Sequence, residues 1–182
     1  HGISAVPLPL DLDPSAPDAL EAPAPGDASA PGAPLPKALA DAINLVVDTG
    51  RSGKGAVVVF AMGNDDREVG IEEIEGVRGV LGVGAITNID QATSFTNFGA
   101  PVDVVAPTGT LTTDIAGAPG GDPGDYTSSF GGTSSACPVV AGIMGLLVSA
   151  APQKTSQELY DLVIQTARTA PYAEPDAQGH DP

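Results

Sequence analysis

Residues 131–142 read Gly-Gly-Thr-Ser-Ser-Ala-Cys-Pro-Val-Val-Ala-Gly and set a serine hydroxyl at the mouth of a helix built from small residues. Ser134 follows Gly131, Gly132 and Thr133, a turn able to bring backbone close to a ligand, and it opens an uncharged run that ends near Ala150. A helix of that composition is expected to be buried. Its amino end carries unpaired N–H groups and a partial positive charge, so a serine there lies where a developing oxyanion is stabilised. The position suits a nucleophile in acyl transfer. The plainer alternative is that Thr133 and Ser134, both favoured amino-terminal caps, only start a core helix.

The elements that must position this serine are legible upstream. Ala56 to Ala61 (Ala-Val-Val-Val-Phe-Ala) is a continuous apolar run of the kind a buried parallel strand shows, ended by Met62, Gly63 and Asn64. Such a strand delivers Asn64 to its carboxyl end, where open α/β sheets place their sites. Asparagine after glycine at a strand end is also a common turn residue. Gly79 to Ala85 reads as a second strand, Thr93 to Gly99 as a turn and Val102 to Pro107 as a short third strand. Leu39, Ile43, Val46 and Val47 are spaced for one face of a helix in a chain whose structure resumes at about Leu35. That helix is expected to exit at Asp48-Thr49-Gly50, with Gly50 as its left-handed cap, and to lead through Arg51-Ser52-Gly53-Lys54-Gly55 into the first strand. Thr155 and Glu158 form a capping box ahead of Leu159, Leu162, Val163, Thr166 and Ala167, an amphipathic helix ending near Arg168.

The segment Gly131 to Ser134, with Ala136, Pro138, Val140, Ala141 and Gly142, resembles the nucleophile signature of subtilisin-like serine proteases, the subtilases. The Val-Gly-Ala of the second strand, the Ser-Phe-Thr-Asn-Phe-Gly turn and the Asp-Val-Val-Ala-Pro strand extend the likeness from about Lys37 to Arg168. The resemblance implies an α/β subtilisin-like three-layer fold with a mainly parallel sheet, present as a fragment lacking the first strands and the last helix. It implies Ser134 as nucleophile and Asn64, in Ala-x-Gly-Asn, as side-chain donor to the oxyanion. It further implies Ala61, Met62 and Gly63 as lining of the primary side-chain pocket. The Gly-Arg-x-Gly-Lys-Gly turn is similar to one in the kexin-like branch.

A serine at neutral pH needs a histidine to accept its proton and a carboxylate to orient that histidine. The family carries both before the oxyanion asparagine. Here the two histidines are His1 and His180. His180 lies after the serine in a polar tail, and the sequence after His1-Gly2 departs from the catalytic-histidine motif, with Pro7 ending any helix. Gly2 instead fits the last glycine of the family's substrate-binding strand. The implied organisation is residues 1–6 as the end of that strand, 7–36 as a Pro/Ala-rich acidic insertion read as disordered, 37–170 as the carboxyl-terminal part of the catalytic domain, and 171–182 as a polar tail. The first 36 residues hold nine prolines, and residues 7–36 hold no basic residue.

Net charge is −16, which argues against nucleic acid and anionic membrane surfaces as partners. Asp65, Asp66, Glu68, Glu72, Glu73 and Glu75 gather after Asn64. Their oxygens suit a structural calcium, although a solvated acidic loop explains them as well and no calcium loop is visible. Cys137 is the sole cysteine, three residues past Ser134, expected as a small buried apolar residue whose modification by a bulky reagent would press on the serine. No membrane-spanning stretch or repeat is read from the sequence. The expected function is a serine endopeptidase acting on polypeptides, secreted, monomeric when complete, requiring no cofactor for its chemistry, and inactive without the missing histidine and aspartate. Two other readings stand beside it: a non-catalytic scaffold of the same fold, and an α/β hydrolase, which would lack the Gly-x-Ser-x-Gly elbow.

Overall fold

A computed structural model describes residue 32 and residues 34–117 and 119–168. Gly2, His1 and His180 lie outside these residues, as do nearly all of the expected insertion and the polar tail. The described chain opens on α1 (Lys37–Gly53), followed by β1 (Val58–Ala61), a 3-10 turn at Ile74–Gly76, β2 (Val80–Ile86) and β3 (Val104–Pro107). β4 (Thr110–Thr113), β5 (Tyr126–Phe130), α2 (Thr133–Ala150) and α3 (Ser156–Thr166) complete it. β1, β2 and β3 form a parallel sheet in that order, with Val58 opposite Val80 and Val83 opposite Val104. β4 and β5 pair antiparallel as a separate ribbon.

Strand periodicity divides the apolar residues between two layers. Leu81, Val83 and Ala85 of β2 turn to one face, where Ala136, Val140 and Met144 of α2 and Leu159 of α3 complete the main core. Val80 turns to the other face, where Ile43 and Val47 of α1 join it with Val58 and Phe60 packed alongside. Helices therefore cover both faces of a parallel sheet, the three-layer arrangement expected from the sequence. All seven residues of β2 are buried, as a central strand covered on both sides requires.

Three local expectations change. α1 buries Ile43 and Val47 but leaves Leu39 and Val46 exposed, so its buried stripe is narrower than the spacing suggested. Regular helix does end at Thr49, but Gly50 has φ −55° and ψ 162° and is not the left-handed residue. That conformation falls to Arg51 and Ser52, while Gly50 is held to glycine by the approach of Ala56, whose backbone nitrogen would lie 2.7 Å from an added Cβ. α2 is not buried all round: Thr133, Ser135, Ala136, Val140 and Met144 face inward, whereas Val139, Ile143 and Leu146 are exposed. By length and composition alone α2 is also apolar enough to cross a membrane, although the sequence is expected to hold no such stretch; its inward face is built onto the sheet.

The capping box on α3 forms as expected: the Glu158 N–H donates to Thr155 Oγ1, and the Thr155 N–H donates to Glu158 Oε2 at 2.8 Å. It fixes the entry to a helix whose Leu159 is fully buried.

Candidate active site

β1 ends at Ala61, and the chain then turns through Met62 and Gly63 to present Asn64 at the carboxyl edge of the sheet. α2 begins beside it, 69 residues later in sequence. The Thr133 N–H donates to Asn64 Oδ1 at 2.8 Å, and Thr133 Oγ1 donates to the same oxygen at 3.2 Å. A backbone N–H can only donate, so the atom facing it must be the amide oxygen. The Asn64 NH2 group is thereby turned away from Thr133, with its two protons still to give. In return the Gly63 N–H donates to Thr133 Oγ1 at 3.2 Å, so three hydrogen bonds tie strand end to helix start.

Two glycines make this approach feasible. Gly132, the residue before α2, has φ +73°, and an added Cβ would lie 3.0 Å from Asn64 Oδ1. Gly63 has φ +91°. Both conformations are left-handed and disfavour any residue with a side chain. Neither Thr133 nor Ser134 acts as a side-chain cap: the cap position belongs to Gly132, and it makes no side-chain bond. The plain capping alternative therefore does not describe this turn.

Ser134 occupies the second position of α2 and is exposed. Its N–H has no acceptor four residues back, because the helix has not yet begun there. Pro138 lies inside the helix one turn on and has no N–H to offer the Ser134 carbonyl. The helix start is held from the other side as well. Thr108 Oγ1 donates to the Gly132 carbonyl at 2.8 Å, and Thr110 and Ser135 share a hydroxyl hydrogen bond at 2.6 Å. The exposed Ser134 thus follows directly on the residue bonded to Asn64, at a helix start held by side-chain bonds from Asn64, Thr108 and Thr110.

Of the expected pocket residues, Ala61 and Gly63 are partly exposed at the strand end. Met62 is 1% exposed, and its sulfur lies against Gly82 on the sheet. Its N–H donates to the Val83 carbonyl and its carbonyl accepts from Asn97 Nδ2 at 2.8 Å. Met62 therefore supports the turn from beneath, and its side chain lies in the interior rather than at an open surface. Among the described residues, a hollow of about 200 Å³ lined by Glu75, Arg78, Asp103 and Tyr160 lies at the amino ends of β2 and β3, the end of the sheet away from Ser134.

The acidic run after Asn64 is partly neutralised within the fold. Arg67 forms a two-pronged pair with Glu73, Nη1 to Oε1 at 2.9 Å and Nη2 to Oε2 at 2.7 Å, and the Gly70 N–H adds a third bond to Glu73. The Arg67 hydrogen bond holds the Glu73 carboxyl below its ordinary pKa, while burial pushes the neighbouring Glu75 up. Among the described residues no three His, Cys, Asp or Glu side chains are grouped to hold a metal ion. Cys137 is half-buried against the main core, where burial raises its thiol pKa. Two roles near the site were not read from the sequence: that of Thr133, considered there only as a cap, and that of the buried Asn97, placed there in a turn.

The sequence pattern of the Subtilase family matches residues 24–180. The chain is 33% identical over 148 residues to the calcium-dependent protease of Trichormus variabilis, covering 71% of this chain and 22% of that protein. It is 36% identical over 121 residues to the extracellular basic protease of Dichelobacter nodosus, covering 62% of this chain and 19% of that protein. A cold-adapted subtilisin-like serine proteinase of known structure superposes with a TM-score of 0.59 at 28% identity, over 82% of this chain and 50% of its own. The chain thus spans about a fifth of the length of the first two relatives. With a family match over most of its length and a fold that follows a solved member, this chain belongs to the subtilase family.

Proposed function

We propose that these residues form the nucleophile and oxyanion half of a serine endopeptidase site. Ser134 Oγ attacks the carbonyl carbon of a peptide bond, and the carbonyl oxygen takes up the negative charge between the Asn64 amide and the Ser134 N–H. Collapse of that intermediate releases the amine and leaves an acyl-enzyme on Ser134, which water then hydrolyses. A histidine and a carboxylate from outside the described residues move the protons. No step of this chemistry calls on a metal or organic cofactor. Ala61 and Gly63 border the groove that takes the substrate side chain. A secreted protein acting on polypeptides fits the likeness to relatives such as the extracellular basic protease.

The observation that supports this reading most is the pinned amide. Asn64 Oδ1 is engaged by the N–H of the residue immediately before Ser134, which leaves the amide's two N–H donors uncommitted next to the start of α2. A scaffold has no need of that orientation. The test is labelling of the full-length natural protein with a rhodamine fluorophosphonate, beside Ser134→Ala, with the modified peptide located by mass spectrometry. Labelling at Ser134 that the substitution abolishes is the expected result. No labelling of the folded, fully processed protein would overturn the catalytic reading in favour of the scaffold.

A further inference from the structure

Asn97 is 2% exposed, yet its side chain is bonded through both its oxygen and its nitrogen. Its Oδ1 accepts from the Asp65 N–H at 2.9 Å and from the Arg67 N–H at 3.2 Å, and its Nδ2 donates to the Met62 carbonyl at 2.8 Å. Its own N–H donates to the Gly63 carbonyl at 3.2 Å. These four partners, at 62, 63, 65 and 67, bracket Asn64 on both sides. The neighbouring residues continue the splint: the Asp66 N–H donates to the Phe95 carbonyl, the Phe98 N–H to that of Arg67 and the Val69 N–H to that of Phe98.

The fit is specific to an asparagine. The site asks for one acceptor of two N–H groups and one donor to a carbonyl on the same short side chain, which an amide supplies in full. Gly63 is shaped for it as well, since an added Cβ there would lie 2.5 Å from Asn97 Nδ2. None of these four bonds is to Ser134 or Asn64.

We propose that Asn97 is a positioning residue for the oxyanion donor, fixing the turn from which the Asn64 amide reaches the developing charge. This inference rests on the proposed catalytic reading. A preorganised donor is effective only when held within a few tenths of an ångström of its productive place, and removal of an oxyanion donor costs about 100- to 1,000-fold in rate. Asn97→Asp keeps the shape and the two accepted bonds but sets a carboxylate against the Met62 carbonyl, so the turn shifts.

The test is a double-mutant cycle in the full-length protein, read as the limiting rate and half-saturating concentration of phosphonylation by the rhodamine fluorophosphonate. Asn97→Asp is expected to lower the limiting rate about 10- to 100-fold with little change in half-saturation. In an Asn64→Ala background the same substitution is expected to cost less than about threefold. A role confined to stability would show the same loss in both backgrounds, and that result, or an undiminished rate in Asn97→Asp, would overturn the proposal. If Asn97→Asp fails to fold by circular dichroism, Asn97→Ser, which leaves room for a bridging water, carries the same cycle with the same two outcomes. Ser134→Ala runs in parallel: absence of labelling at Ser134 in the natural protein removes the catalytic premise, whereas normal Ser134 labelling with an additive cycle removes only the role of Asn97.

Discussion

Asn64→Asp should separate the two jobs of this side chain. The substituted carboxylate has the same shape and still accepts from the Thr133 N–H, which lies 2.8 Å from Asn64 Oδ1, and from Thr133 Oγ1. The joint between β1 and α2 is therefore kept, and a negative charge at the start of α2 adds about 0.3–1 kcal/mol of stability. The chemistry moves the other way. Loss of the donated proton costs about 2.7–4 kcal/mol of barrier, as it would in Asn64→Ala. The carboxylate also repels the oxyanion. At about 3 Å that repulsion is roughly 5 kcal/mol for an effective dielectric of about 20 and about 1.4 kcal/mol for bulk water. Asn64 is exposed, so the lower figure sets the floor, and Asn64→Asp should fall at least about tenfold below Asn64→Ala in rate. Asn64→Ala in turn orphans the Thr133 N–H and should lose about 1 kcal/mol of stability. Urea denaturation should rank stability as Asp at or above Asn, and Asn above Ala. Fluorophosphonate labelling should rank rate as Asn, then Ala, then Asp. An aspartate variant labelled as fast as the alanine variant would refute the geometry, because Asn64 would then be donating nothing to the charge.

Leu159→Ala, at a fully buried position between α3 and the sheet, should lower stability by about 2–5 kcal/mol in the same urea assay while leaving the labelling rate per folded molecule unchanged. Glu73 is held below its ordinary pKa by Arg67, so its contribution to stability is present above the unfolded carboxyl's pKa and is lost as pH falls through the lower folded one. Glu73→Gln should flatten that acid-side dependence and reduce stability near neutrality. An acid limb of unchanged slope in thermal melts from about pH 6 to about pH 3 would contradict the pairing.

What could be read from the sequence divides along physical lines. β1, β2 and β3 declared themselves because strands covered on both faces are continuous apolar runs, and α3 did so because its cap is a local motif of four residues. β4 and β5 left no such trace: no residue of Thr-Leu-Thr-Thr or Tyr-Thr-Ser-Ser-Phe is fully buried, so burial imposes no continuous apolar run on them. α2 was expected to be buried all round from composition, but composition cannot say which neighbours are present to cover each face. Asn64 and Ser134 were named from a resemblance that runs along most of the chain, and the Thr133–Asn64 bond brings their two segments together. Thr133 looked like a cap because its other partner lies 69 residues away, and Asn97 like a turn residue because its bonds run 30 to 35 residues back. Met62 was grouped with its neighbours as pocket lining, since nothing local reveals that its side chain points inward.

The length of the Asn64 to Thr133 connection has a consequence for biosynthesis. The amide that would receive the charge has no fixed direction until β1, β2 and β3 have assembled and α2 has docked on them, because the bonds that orient it come from across that span. Loop closures of this kind come late and form together with the core. In a chain still leaving the ribosome, Ser134 would be an ordinary alcohol. On the proposed reading, the same docking that aims the amide also buries the core strands, so the site would be completed only in a chain whose own backbone is already folded away.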